Sequence, residues 1–190
     1  MAAQASELVF DDAEDEHRRS LVDLMQRAYS GELAAAKAYA EHAQCVAKPE
    51  ERARIEQIEA EEWHHRELLG EMLETLGEAP VPALERRAAR IGRALGALCH
   101  VAGWLVPMYG AGHLESRNVR EYEAAARFAR DCGRNEWTDC LLEMAEVEWD
   151  HEHYFRGQVL QHWLGKRLPI WPEPDERESI RAKFLSEAVR

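Results

Sequence analysis

Several features that mark common classes of metal and membrane proteins are missing from this sequence of 190 residues. Its four cysteines include no Cys-x-x-Cys pair, so neither a rubredoxin-type iron centre nor a zinc ribbon is encoded. The apolar stretch from Ile91 to Tyr109 is interrupted by Arg93, His100 and Pro107 and by several glycines. We therefore expect no transmembrane helix there.

Positive charge is also scarce, because 24 Lys and Arg face 36 Asp and Glu, for a net charge of -12. This balance excludes non-specific nucleic-acid binding, whose affinity comes largely from cationic side chains on phosphates. The first 16 residues are acidic and lack a basic region followed by an apolar run. They do not resemble a secretory signal, and we expect a cytoplasmic protein.

One four-residue pattern occurs twice, as Glu62–His65 (EWHH) and as Glu148–His151 (EWDH). In each copy a glutamate precedes a histidine by three positions, and such residues lie within about 60° of each other around a helix axis. A further glutamate, Glu32 or Glu115, lies 30 or 33 residues before the first residue of each copy. That spacing is typical of one helix, a turn and an antiparallel return. The sequence therefore predicts four helices whose acidic and histidine side chains meet at one point.

These positions fall on the apolar stripes of their helices, whereas solvated acidic helices, the alternative interpretation, would share no common face. Four buried carboxylates repel one another and are costly to desolvate, but two divalent cations cancel their charge. We predict a two-metal site in which Glu62 and Glu148 bridge the ions and each ion has one histidine. The predicted ligands are Glu32, Glu62, His65, Glu115, Glu148 and His151.

Neighbouring residues are expected to have lesser roles. Tyr39 and Tyr122 each follow a predicted ligand by seven residues, nearly two helical turns, so they can orient ligands from the same face. His64 and Glu61 are displaced by about 100°, so they do not share the inner face of the helix with His65 and Glu62. His64 is expected on the surface; for Glu61, a hydrogen bond to a ligand histidine on an adjacent helix is the lesser alternative. Other polar residues beside His151 are expected to be solvated, namely Asp150, Glu152 and His153.

The hydrophobic periodicity divides the chain into three parts. We expect a flexible acidic tail over residues 1–16, an all-α four-helix bundle over residues 17–165, and a Pro-rich extension with a short helix over residues 166–190. The predicted bundle helices are 17–47, 49–76, 104–132 and 135–164, with Gly77 and Gly133 as stops. Three apolar residues of the C-terminal part are expected to pack back on the bundle, namely Trp163, Ile170 and Trp171.

A long crossover connection, residues 78–110, joins the second and third bundle helices. It contains a predicted short helix in which Gly92 and Gly96 permit close packing against another helix. Arginines at positions 86, 90 and 93 form a basic side, so residues 82–106 are a candidate for peripheral contact with an anionic membrane. A crossover helix with its charged side in water is the alternative.

The predicted ligands indicate the metal and the chemistry. Glutamate oxygens with imidazole nitrogens suit Fe(II) or Mn(II) better than zinc or copper, so we expect two iron ions, with manganese as an alternative at one or both positions. Two histidines for two ions leave coordination positions open to O2, peroxide or a substrate. The expected partners are O2, a small or lipid-like organic substrate and an electron donor; self-association into a homo-oligomer is left open.

The order Glu, Glu-x-x-His, Glu, Glu-x-x-His resembles the ferritin-like di-iron carboxylate superfamily. More narrowly, Gly31-Glu32 with Tyr39, the Gly-rich connection over residues 94–103, and Glu115-Ser116 with Tyr122 resemble the demethoxyubiquinone hydroxylases. The resemblance implies a ferritin-like bundle and O2-dependent hydroxylation of a quinone-like ring at a membrane surface. The alternatives are a ferroxidase or iron-binding protein, a peroxide reductase, and a non-catalytic bundle stabilised by metal.

Overall fold

A computed structural model describes the backbone of residues 2–187 and the side chains of residues 13–187. It is all-helical, with no strand among the residues it describes. Six α-helices follow one another along the chain: α1 (Ala2–Cys45), α2 (Pro49–Thr75), α3 (Pro82–Cys99), α4 (Leu105–Asp131), α5 (Thr138–Gln161) and α6 (Arg177–Glu187). Short 3-10 turns at Asn135–Trp137 and Gly165–Arg167 flank α5.

Two helical hairpins, α1 with α2 and α4 with α5, form the four-helix bundle. Gly77 follows the end of α2 and Gly133 follows the end of α4, with φ of 72° and 75°. This backbone conformation disfavours residues that carry a Cβ atom. The bundle and the long crossover between its second and third helices agree with the sequence prediction. None of the helices within residues 2–187 combines the length and apolar character needed to cross a bilayer.

The start of α1 differs from the prediction. The helix begins at Ala2, whereas the sequence analysis placed a flexible tail over residues 1–16. Residues 2–16 contain neither proline nor glycine, and alanine, glutamate and leucine in this stretch favour helix. The segment is therefore the N-terminal part of a single long helix.

The crossover helix α3 packs mainly on α1, through small residues. A Cβ atom added at Gly92 would lie 2.6 Å from the carbonyl oxygen of Ala34, and one at Gly96 would lie 2.7 Å from Cγ of Glu41. These glycines let the two backbones approach, as predicted. The larger apolar residues of α3 are turned aside from this contact, so that Leu95 and Leu98 remain 37% and 45% exposed.

Buried apolar residues form two groups along the bundle. The larger core contains, among others, Leu21, Met25, Leu69, Leu73, Ala125 and Leu141. The smaller core contains Tyr39, Ile55, Ile58, Met108, Phe155 and Trp171, with a few neighbours. The predicted metal ligands have sequence positions between these two groups on all four bundle helices.

The C-terminal extension is anchored on the bundle by Trp171, which is buried against Gly112 of α4. Its indole Nε1 donates a hydrogen bond to Glu152 at 2.6 Å, and Arg156 donates to the same carboxylate at 2.7 Å. Glu152 is therefore buried, and the expectation that it is solvated is wrong. Trp163 is 65% exposed, so only two of the three expected aromatic and apolar anchors pack back, Ile170 partly and Trp171 fully.

Candidate metal centre

The six side chains that the sequence singled out come together in the middle of the bundle. Each bundle helix contributes through its inward face, and all six residues are at most 3% exposed. Two sets of ligand atoms form, and within each set the atoms lie within 4.8 Å of one another. The first set is Glu32, Glu62, His65 and Glu148, and the second is Glu62, Glu115, Glu148 and His151. Glu62 and Glu148 belong to both sets, the position expected of bridging carboxylates.

Histidine rings link the two hairpins across this cluster. His65 Nδ1 lies 3.0 Å from Glu148 Oε1, and His151 Nδ1 lies 3.3 Å from Glu62 Oε1. The two rings are 6.4 Å apart between centroids. Each histidine therefore directs a nitrogen at the glutamate of the opposite Glu-x-x-His motif.

Tyr39 and Tyr122 also cross between hairpins. The Tyr39 hydroxyl donates to Oε1 of Glu115, and the Tyr122 hydroxyl donates to Oε1 of Glu32. Burial, together with the adjacent carboxylate charge, raises the pKa of each tyrosine well above its usual value. Both hydroxyls therefore stay protonated and act as donors that hold a carboxylate in place.

Two further residues support the second set of ligands. Glu61 Oε2 lies 2.7 Å from His151 Nε2, which fixes the ring with its Nδ1 towards the cluster, as the sequence analysis allowed. Asn118 donates to Glu115 at 2.8 Å and to Glu148 at 3.3 Å. The sequence analysis missed Asn118, although its position three residues after Glu115 placed it on the same helical face.

The neighbouring polar residues follow their helical positions. His64 lies at the surface with its side chain 64% exposed, and Asp150 is 43% exposed beside Arg177. His153 is exposed as well. Only Glu152 departs from the expectation for this group, for the reason given above.

The pKa values of the cluster residues are shifted in the direction that favours bound positive charge. Burial first, and then the charges of the other carboxylates, raises the pKa of Glu62 well above its usual value. Burial and Glu148 do the same to the pKa of Glu115. Burial opposes charging of His151, but Glu148 and Glu61 outweigh it and raise the pKa of His151 to about 10. These shifts all favour the forms that carry a proton, so positive charge is favoured at the cluster.

The donor set fits metal ions. Four buried ligand atoms have no hydrogen-bond partner within the described part of the protein, namely Oε2 of Glu32, both carboxylate oxygens of Glu62 and Nδ1 of His151. Unpaired buried atoms of this kind are costly, and coordination of cations would satisfy them. Carboxylate oxygens with one imidazole per set favour iron or manganese.

An apolar cavity of about 350 Å³ adjoins the second set of ligands. It lies between α1, α3 and α4, and Tyr39, Glu115 and Asn118 form part of its wall. Its apolar lining includes Leu95, Leu98, Val106 and Leu114, which are between 37% and 51% exposed. The cavity therefore connects an apolar surface with the carboxylate cluster.

A comparison with protein families gives a match to part of the chain. The model of a ferritin-like domain described for actinomycetes matches residues 15–106. This segment covers α1 to α3 from residue 15 onwards, and hence the first hairpin with Glu32, Glu62 and His65. No curated protein and no solved structure matches the chain. The structure adds the second hairpin, which completes the bundle and the cluster.

Proposed function

We propose that this protein is a di-iron oxidoreductase that hydroxylates an apolar substrate with O2. Two observations support the proposal: residues 15–106 match the model of a ferritin-like domain, and the bundle holds a buried cluster of carboxylates and histidines. The observation that carries this proposal is the apolar cavity whose wall includes Glu115. A cluster that served only to store or oxidise iron would need a polar entry path for the ion. This cavity instead suits an organic molecule.

The proposed ligands are the six residues of the cluster, with Glu62 and Glu148 shared between the ions. When bound, a pair of ferrous ions supplies electrons for the reduction of O2. In the overall reaction one oxygen atom enters a C–H bond of the substrate and the other leaves as water, with two electrons and two protons from an external donor. The chain's own contribution is to orient the carboxylates through Tyr39 and Tyr122 and to keep water from the apolar cavity.

Oxygen uptake by the reduced, iron-loaded protein tests this proposal. With ¹⁸O2 and a panel of apolar aromatic compounds, we expect uptake to rise with at least one compound and a product to carry one labelled oxygen atom. Uptake that ignores every compound while ferric iron accumulates would indicate a ferroxidase. Rapid consumption of peroxide in place of O2 would indicate a peroxide reductase.

The chain offers a matched pair of variants for this test. Gly110 and Gly157 both lie in helices, and a Cβ atom at either meets nothing within 4 Å, but only Gly110 lines the cavity. We expect Gly110→Leu to abolish hydroxylation while two metal ions stay bound. Gly157→Leu should keep both the metal and the activity.

We further propose that the exposed apolar residues at the opening of the cavity, together with the arginines of α3, contact an anionic membrane. A lipid-like substrate would enter the cavity from this membrane. Ile91, Leu95 and Leu98 are more than a third exposed on this helix, and Arg86, Arg90 and Arg93 of the same helix are exposed as well. Co-sedimentation with phosphatidylglycerol vesicles tests the contact. Charge reversal at the three arginines should abolish it, whereas reversal at the exposed Arg117 and Arg120 of α4 should not.

A further inference from the structure

His42 is a buried histidine that the metal cluster does not use. Its ring is only 2% exposed, and its Nε2 atom has no hydrogen-bond partner within the described residues. The ring lies in the wall of the apolar cavity and also in that of a second, smaller cavity of about 200 Å³. An unpaired buried nitrogen at the boundary of a cavity is suited to a ligand, because a ligand atom can supply the missing bond.

The aromatic neighbours of His42 hold its ring in place. Tyr39 and Phe155 both stack on it, with centroid distances of 6.5 and 6.2 Å and interplanar angles of 26° and 14°. Burial lowers the pKa of His42 to about 4, although Glu51 opposes the shift. At neutral pH the imidazole is therefore uncharged, with one N–H donor and one acceptor nitrogen.

Three other polar side-chain groups of the cavity wall already donate hydrogen bonds to the protein. The Tyr39 hydroxyl donates to Glu115, and the Asn118 amide donates to Glu115 and Glu148. The Cys99 thiol donates to the carbonyl oxygen of Leu95. The Nε2 atom of His42 is thus a buried side-chain nitrogen without a partner among the described residues, in the wall of a largely apolar space.

We propose that His42 is the specificity-determining residue of the cavity, and that it orients an apolar ligand through a single hydrogen bond to an oxygen substituent. The inference rests on the proposed function insofar as this ligand is the substrate. His42 follows Tyr39 by three residues, about one turn of α1, and Tyr39 is bonded to Glu115. A ligand held by its oxygen at His42 would present its carbon skeleton towards the cluster, and such positioning is a major contribution to catalysis.

Paired probes test this role without turnover. Naphthalene and 1-naphthol share one ring system, and the naphthol hydroxyl can donate or accept, so it suits either tautomer of His42. Equilibrium dialysis of the purified protein with its metals, under argon, gives the two dissociation constants. We expect wild-type protein to bind 1-naphthol about three- to tenfold more tightly than naphthalene, the range that one net hydrogen bond supports.

His42→Phe should remove this preference while naphthalene affinity stays within about twofold, since phenylalanine preserves the aromatic stack between Tyr39 and Phe155. His64→Phe on the surface of α2 should change neither constant. Gly110→Leu should weaken both ligands together, which would locate them in the cavity.

Three outcomes would overturn the proposal: equal affinity of the wild type for both probes, a preference that survives in His42→Phe, or no binding of either probe. None of them requires O2 or an electron donor. Failure of the hydroxylase proposal would therefore appear in oxygen uptake alone, and failure of the His42 proposal in dialysis alone.

Discussion

The two sets of ligands are nearly equivalent in sequence but not in their surroundings. The first set, with Glu32 and His65, lies against Tyr122 and the larger apolar core. The second, with Glu115 and His151, adjoins the apolar cavity and has the added hydrogen bonds of Glu61 and Asn118. A repeated motif can thus build two similar candidate metal positions, while the packing around them leaves a cavity beside only one among the described residues.

The largest effect on metal binding is expected at Glu62, because this residue belongs to both sets of ligands. In Glu62→Met we expect the metal content to fall from about two ions per chain towards zero. The metal-loaded melting temperature should fall by about 10 °C, given the several kcal/mol that two bound ions contribute and the size of the domain.

In the presence of a chelator the change in melting temperature should have the opposite sign, so that Glu62→Met melts above the wild type. The substitution removes a buried carboxylate that lies close to three others. Differential scanning calorimetry with and without EDTA measures both effects. Glu67→Met, at a position that is 69% exposed on the same helix, is the matched control. Unchanged metal content in Glu62→Met would rule out the site.

A pH titration asks whether protons and metal compete for the cluster. The pKa values of Glu62, Glu115 and His151 are raised in the folded state. The contribution of these groups to the free energy of unfolding is therefore fully present at low pH and is lost as the pH rises through their folded pKa values. For His151 the loss falls between about pH 6.5 and about 10.

Each raised group contributes a slope of up to about 1.4 kcal/mol per pH unit within its window. We expect chemical denaturation of the metal-free protein to show stability falling from pH 5 to pH 9. Metal affinity should rise over the same range, because ligands must lose protons to bind. A metal-free protein that gained stability over this range would contradict the proposed charge balance.

Glu61 provides a way to weaken one position selectively. Glu61→Gln should lower the affinity of one of the two ions by about 10- to 100-fold, the usual effect of losing the partner of a ligand histidine. Titration with Fe(II) under argon should then show one tight and one weak site. Glu59→Gln, which alters a partly exposed glutamate on the same helix that accepts a hydrogen bond from Trp63 and not from a metal ligand, should leave two tight sites. Equal weakening of both ions in Glu61→Gln would argue against the asymmetry.

The smallest effects are expected from the two tyrosines, which sharpen the comparison because they are equivalent by sequence. Tyr39→Phe and Tyr122→Phe each remove one hydrogen bond to a carboxylate ligand. Each should lower the affinity of one ion by less than about tenfold. Only Tyr39→Phe should also alter ligand binding in the cavity; the reverse assignment would place the substrate at the other position.

Most of the correct predictions about the fold and the candidate site came from helical periodicity. Spacings such as Glu62 to His65 determine which side chains share a face, and this holds before any packing is known. The burial of Glu152 depends instead on Trp171, which arrives from a distant extension. The unpaired nitrogen of His42 likewise depends on three helices enclosing a cavity, so no local pattern distinguishes it from an ordinary core histidine.

Helix α3 shows the same limit within a single element. Its contact with α1 uses Gly92 and Gly96, as the sequence predicted, but the sequence did not show what the adjacent apolar residues would contact. The residues one position away, including Ile91 and Leu95, are left to the mouth of the cavity. Which of two adjacent faces becomes buried depends on how closely the backbones approach, a tertiary property.

The crossed tyrosine bonds have a consequence for the two hairpins as separate pieces. Tyr39 of the first hairpin holds a glutamate of the second, and Tyr122 of the second holds a glutamate of the first. Neither hairpin contains all the residues of either candidate metal position. If the chain were cleaved between α3 and α4, the two fragments would therefore have to associate before they could bind the ions. Bound metal would then stabilise the association of the two fragments, and the fraction of reassembled fragments would measure metal binding.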